Sequence, residues 1–146
     1  IKVSKISFGG VLIALAKEDL SGIKPPNFNL FSFKYFISSE FSLSPPVLVS
    51  WMWSIVYSRN LCAHHSRLWN RKFVIRPKFH EKISVLRERD HQFYSQAYIL
   101  ILLLKDISPS STWKTRLFKF LKKHEAVSKQ KMGFDENWEK DCVWDL

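Results

Sequence analysis

Apolar positions along this chain recur at helical spacing, in blocks separated by proline, glycine and serine. Ile6 to Leu20 reads as a first helix, weakened at its start by Gly9-Gly10, and Ser21 to Asn29, with Gly22, Pro25 and Pro26, as a loop. The aromatic run Phe31 to Phe36 predicts a short helix against the core. Ser44 followed by Pro45 marks a helix start, because serine is a favoured N-cap and proline at the first position gives up no bond. That helix should run to about His65. Lys72 to His80, with Pro77, reads as a basic connector. Glu81 to Ile107 has a polar first half and an apolar second half, most simply one long helix or two joined ones. Ser108 to Ser111 is a turn, Thr112 to His124 a basic amphipathic helix, and Met132 to Leu146 a tail rich in tryptophan and acid. With little alternating pattern, the fold class is all-α.

The helix from Pro45 is apolar or aromatic nearly all round, which predicts burial on two sides. At about 100° per residue, Leu48, Trp51, Met52, Ile55 and Cys62 share one stripe. Arg59 falls on that stripe, where a helix built only for packing would carry leucine. Trp53, Tyr57, Asn60 and His64 form the opposite stripe. A guanidinium on a core stripe requires a carboxylate, a carbonyl or a ligand phosphate. On ideal geometry Arg59 and His64 lie about 140° apart. Their convergence on one phosphate would need arginine's reach, a distorted last turn, or a second copy of the helix across a dimer axis.

The chain's 146 residues suit one domain, and 46% hydrophobic with 15% aromatic content suffices for a core. Beginning at Ile1 without methionine, it reads as a fragment of a longer protein. The formal charge of +10 favours an anionic partner such as nucleic acid. Two distant cysteines, Cys62 and Cys142, supply no disulfide framework and suit a reducing, cytoplasmic setting. Neither uncharged stretch suits a membrane, and both read as buried helices. Phe41 to Ser58 holds two prolines and several serines, and Tyr98 to Leu104 falls well short of the roughly 20 residues a span needs.

Charge and chemistry concentrate at residues 59–71, Arg-Asn-Leu-Cys-Ala-His-His-Ser-Arg-Leu-Trp-Asn-Arg, directly after the uncharged stretch. Arginine holds phosphate oxygens and histidine moves protons near neutral pH, which suits a phosphodiester. Singly, each residue has a plainer reading: Arg59 in a salt bridge, His64 as a hydrogen-bonded core histidine, Asn60 as a cap. Cys62, His64 and His65, with Cys142 or His80, offer zinc-type ligands, yet the spacing is not that of a tetrahedral site. No metal is assigned. Cys62 on the apolar stripe reads as core rather than as a nucleophile.

Arg59-Asn60-Leu61-Cys62-Ala63-His64 resembles the arginine-polar-x-x-x-histidine signature of HEPN domains, a helical ribonuclease module. The longer string to Arg71 is similar to the hallmark of the abortive-infection (Abi) family of the AbiD/AbiF type. Ser7-Phe8-Gly9, Pro46 to Trp51, Met132-Gly133-Phe134 and Asn137-Trp138 also resemble family landmarks, so the likeness runs through the whole chain. Two departures stand out. Family members carry an additional amino-terminal half, and Asp135 stands where proline is expected.

The resemblance implies a HEPN-like helical bundle whose long central helix carries the motif at its C-terminal end. It implies a metal-independent endoribonuclease, without cofactor, of a phage-defence or toxin system, cleaving RNA through a 2′,3′-cyclic phosphate. Arg59, Asn60 and His64 would be catalytic: His64 as general acid or base, Arg59 on the charge of the phosphorane, Asn60 as orienter. His65, Arg67, Asn70 and Arg71 would support RNA binding or brace the dimer, and Lys72, Arg76, Lys78 and the Lys114 to Lys123 helix would hold the RNA backbone. Those lysines and arginines equally suit a solvated basic face. The expected partners are RNA, a second copy of the chain and a neutralising antitoxin of protein or RNA, with no membrane. The alternatives are a non-catalytic RNA- or partner-binding helical module and a structural domain that dimerises through Trp53 and Tyr57.

Overall fold

A computed structural model describes residues 30–145, so the helix expected over Ile6 to Leu20 and the loop to Asn29 lie outside the described residues. Four α-helices follow in chain order: α1 (Leu30–Glu40), α2 (Pro45–Ala63), α3 (Phe93–Ile107) and α4 (Trp113–Lys123). Short 3-10 segments at Glu81–Leu86, Gln130–Met132, Trp138–Lys140 and Cys142–Asp145 complete the order, and no strand occurs among the described residues. The all-α class expected from the spacing is the class observed.

The most buried helix is α3 rather than α2. Tyr94, Ser95, Gln96, Ala97, Tyr98, Ile99, Ile101 and Leu103 are all buried, so α3 is covered on nearly every side. It packs against α2 on one flank and the C-terminal turns on another, while α1 packs on α2. The tail rich in tryptophan and acid is core: Phe134, Trp138, Val143 and Trp144 are buried around Tyr94. Arg89 ties this tail down, with Nη1 2.9 Å from Asp135 and Nη2 3.7 Å from Asp141. Asp135, the residue that departs from the expected proline, also accepts from the Asn137 backbone N–H at 2.9 Å. Gly133 is required here: at φ 91° a Cβ would sit 3.0 Å from the Cβ atoms of Gln92 and Tyr94.

Residues 81–92 form neither a long helix nor a joined one. Ile83 has non-helical φ/ψ, and Ile83 and Leu86 are buried three residues apart, the repeat of a 3-10 turn. Turn bonds then run from Arg89 N–H to the Leu86 carbonyl and from Gln92 N–H to the Arg89 carbonyl. Arg89 also donates to the Gly133 carbonyl at 3.1 Å, drawing the segment to the tail. The aromatic helix α1 is longer than Phe31 to Phe36. At the start of α2, Ser44 holds the N-cap position but makes no side-chain cap, and its carbonyl accepts from Val47 and Leu48 at 3.0 Å.

The connector explains why α2 is uncharged on two sides. It runs back antiparallel along the helix, and α2's own polar side chains satisfy its backbone. Ser54 Oγ donates to the Ile75 carbonyl at 3.1 Å, and Trp51 Nε1 to the Lys78 carbonyl at 3.0 Å. Ser50 Oγ accepts from the Lys78 N–H at 2.8 Å. The connector is anchored a second time where the Phe73 N–H meets the His91 carbonyl at 2.7 Å.

Candidate functional site

The end of α2 is closed by a backbone motif that fixes the histidines. His65 N–H bonds the Cys62 carbonyl at 3.0 Å and Ser66 N–H bonds the Leu61 carbonyl at 2.8 Å, the paired reverse bonds of a Schellman cap. His64 is the C-cap and His65 lies in the left-handed region at φ 52°, where glycine is the usual occupant. Asn70 adopts the same region at φ 52°, which asparagine tolerates. The chain therefore turns sharply at His65 and leaves both imidazoles exposed.

Arg59, Asn60, Cys62, His64 and His65 are all exposed. This corrects two expectations. Arg59 is not buried with a carboxylate partner, and Cys62 is not core, because the apolar stripe of α2 is buried at Leu48, Trp51 and Met52 and only half-covered at Ile55. From Arg59 to His65 every residue but the half-buried Leu61 is exposed. Arg59 instead donates from Nη1 to Asn60 Oδ1 at 3.2 Å, its only side-chain partner among the described residues. Asn60 and His64 are four residues apart and so share a face. The Arg59 guanidinium thus reaches Asn60, the nearer residue of that face.

The remaining candidates separate in space. Arg67 sits 5.9 Å over the Trp69 ring, and Arg71 is half-buried. Lys72 is exposed. Arg76 forms an ion pair with Asp90 at 3.6 Å, and the backbone of Lys78 is held at Ser50. Ser50 is fourteen residues before His64, so Arg76 and Lys78 lie roughly 20 Å along the helix axis from the histidines. They do not share a compact centre with Arg59, Asn60 and His64. In the basic helix α4, Leu117 and Leu121 are buried while Lys119, Lys122 and Lys123 are exposed. Among the described residues no three His, Cys, Asp or Glu side chains converge closely enough to hold a metal ion.

A cleft of about 790 Å³ opens beside the downstream half of the motif. Its lining includes Arg67, Leu68 and Trp69 of the motif, with Phe120 of α4 and the later His124 and Lys131. Trp69 is held by its Nε1, which donates to the Ser128 carbonyl at 3.3 Å, and Lys131 Nζ lies 5.3 Å from its ring. Phe120 is 56% exposed although apolar, and its ring lies 4.7 Å from that of His124. Sequence reasoning passed over Phe120 and Lys131; the one signal was a phenylalanine among lysines, one residue before the core Leu121.

The structure is thus an all-α fold that presents an Arg-Asn-x-x-x-His helix end to solvent beside an apolar, cation-rimmed cleft. Residues 27–70 match the model of the family described as Abi-like protein. The stretch from α1 through Asn70 is therefore similar to that family. No curated protein and no solved structure matches the chain. Among the described residues no helix is long and apolar enough to cross a membrane.

Proposed function

We propose that this protein is an endoribonuclease of an abortive-infection system, acting without a metal as a homodimer. The observation that carries the reading is the joint exposure of Arg59, Asn60 and His64 at one helix end, with the Arg59 guanidinium drawn to the Asn60 amide. The likeness of residues 27–70 to the Abi-like family supports it, as does the net charge of +10. In this scheme His64 takes the proton of a ribose 2′-OH, and the 2′-oxygen attacks the adjacent phosphorus. The P–O5′ bond breaks, the 5′-oxygen leaves with a proton from an acid group, and a 2′,3′-cyclic phosphate remains. Arg59 donates to the non-bridging oxygens as charge builds on the phosphorane. Asn60 holds Arg59, and a second copy of the same helix end supplies the other proton-transfer group. A neutralising protein or RNA belongs to the same reading.

The test is incubation of RNA with wild type and His64→Ala in EDTA, with end-group analysis of the products. Cleavage leaving cyclic phosphate, lost in His64→Ala while the circular dichroism is unchanged, is the expected outcome. A second reading, a non-catalytic RNA-binding module, is favoured by one feature: no hydrogen bond from a described side chain orients either imidazole. Salt-dependent RNA binding without any cleavage would establish that reading instead.

A further inference from the structure

The cleft between the motif and α4 has a composition that packing does not explain. Its floor includes the buried Leu121 and Met132, its walls carry the rings of Trp69, Phe120 and His124, and none of the described residues lining it is acidic. Two cations, Arg67 and Lys131, stand over the Trp69 ring, 5.9 and 5.3 Å from its centroid. Phe120 is 56% exposed on a helix whose other outward residues are mostly lysine and arginine. At about 790 Å³ the space lies within the roughly 300–1,000 Å³ range of small-ligand sites.

An unpaired nucleotide matches these features together. A base offers two flat apolar faces to aromatic walls, and its flanking phosphates pair with cations at the rim. A paired base cannot enter, because its faces are occupied by its neighbours in the stack. We infer that this cleft is a base-binding subsite for single-stranded RNA, in which a base stacks on the exposed Phe120 ring and its phosphates lie on Arg67 and Lys131, the two cations held over Trp69. Arg67 follows His64 by three positions, so their Cα atoms are at most about 11 Å apart. One strand can therefore occupy both the cleft and the helix end. The inference rests on the RNA reading for the class of its ligand, but not on cleavage.

The experiment measures fluorescence anisotropy of a labelled oligouridylate, the same strand with abasic positions, and an RNA duplex. The protein is the full chain with His64→Ala, so that no probe is cut. The base-bearing strand should bind tighter than the abasic one. Phe120→Ala should weaken that strand by about 5- to 100-fold while leaving the abasic strand and the duplex unchanged. Phe120 is exposed, so the fold should survive, as circular dichroism would verify. Lys131→Ala should lower the salt slope for the single strand by about 0.7. Equal affinity for base-bearing and abasic strands, equal losses on the duplex, or no RNA binding at all would overturn the subsite. So would silence of Phe120→Ala, the outcome if another part of the chain or a protein partner fills the cleft. Parallel cleavage assays with His64 intact separate the two proposals. Base-dependent binding without cleavage defeats the nuclease and leaves the subsite, whereas cleavage with indifference to Phe120 and to the bases does the reverse.

Discussion

At the end of α2, His65 holds a backbone conformation that costs a residue with a Cβ about 1–2 kcal/mol relative to the right-handed helix. Glycine escapes that cost. His65→Gly is therefore expected to raise stability by about 1 kcal/mol, a gain of a few degrees in Tm measurable by calorimetry. If His65 serves RNA, the same change should lower cleavage or binding, so stability and function move in opposite directions. A drop in Tm would show that the imidazole is structural. His64 and Arg59 lie on the other side of this division, since neither side chain supports the core. His64→Ala should lower the cleavage rate by about 10²- to 10⁴-fold, the usual worth of general acid–base catalysis. Arg59→Ala should lower it by about 10²- to 10³-fold, as for loss of one donor to a developing oxyanion, with unfolding midpoints unchanged in both. The residue types of this cluster were legible in the sequence, and so was the shared face of Asn60 and His64. The exposure of Arg59 was not. Periodicity places a residue on a stripe but does not say how far along the helix that stripe stays covered.

At the scale of elements, the connector and α2 form one unit held by side chains that a hydropathy profile counts as neutral. Ser54 is fully buried; it donates to the Ile75 carbonyl and accepts from Gln96 Nε2 at 3.2 Å. Ser54→Ala would take the donor from the Ile75 carbonyl and leave Gln96 Nε2 with Ser95 Oγ alone, beside Gln96 Oε1, a buried acceptor without a partner among the described residues. A loss of about 1–3 kcal/mol in urea denaturation is the expected result. An unchanged midpoint would show that the connector is not held from this point. The serines of the uncharged stretch were visible from the start, but their purpose depends on a segment more than twenty residues away. The polar run after His80 shows the same limit. Its composition suited a helix, yet Ile83, Leu86 and Arg89 make tertiary contacts that a continuous helix would break. By contrast α4 was readable almost to its ends, because its two faces differ so strongly.

Across the whole molecule, the buried tyrosines of α3 couple stability to alkaline pH. Burial, reinforced by the hydrogen bond to Asp141, pushes the Tyr94 phenol above its ordinary 10.0. Burial, and then contact with Cys142, raises Tyr98 in the same direction. The unfolded chain releases these protons first, so it binds fewer protons than the folded chain once pH passes 10.0. Stability should be insensitive to these groups below that pH and fall as pH rises above it. Tyr98→Phe should lessen the fall, as read from urea midpoints across the range, and an equally steep decline in that variant would discount the phenol. A second expectation concerns assembly. Trp53 is 43% and Val74 82% exposed, apolar surface on the helix and on the connector of the α2–connector unit. If two copies must meet to cleave, specific activity should fall on dilution, and Trp53→Glu should give a folded, inactive monomer in sedimentation. Activity independent of concentration would reject the paired site.

What the sequence by itself determined is local: the helical periodicity, the start of α2 at Ser44-Pro45, the amphipathic α4, and the arginine, asparagine and histidine at one helix end. These follow from interactions within a few residues, which spacing and capping express directly. The tertiary structure alone decided that α3 is covered more completely than α2, and that the tryptophans of the tail are core. It alone decided that Arg59 faces solvent and that a cleft opens between the motif and α4. Each of these depends on which surfaces exclude water from which others, and that is a property of segments far apart in the chain brought into contact.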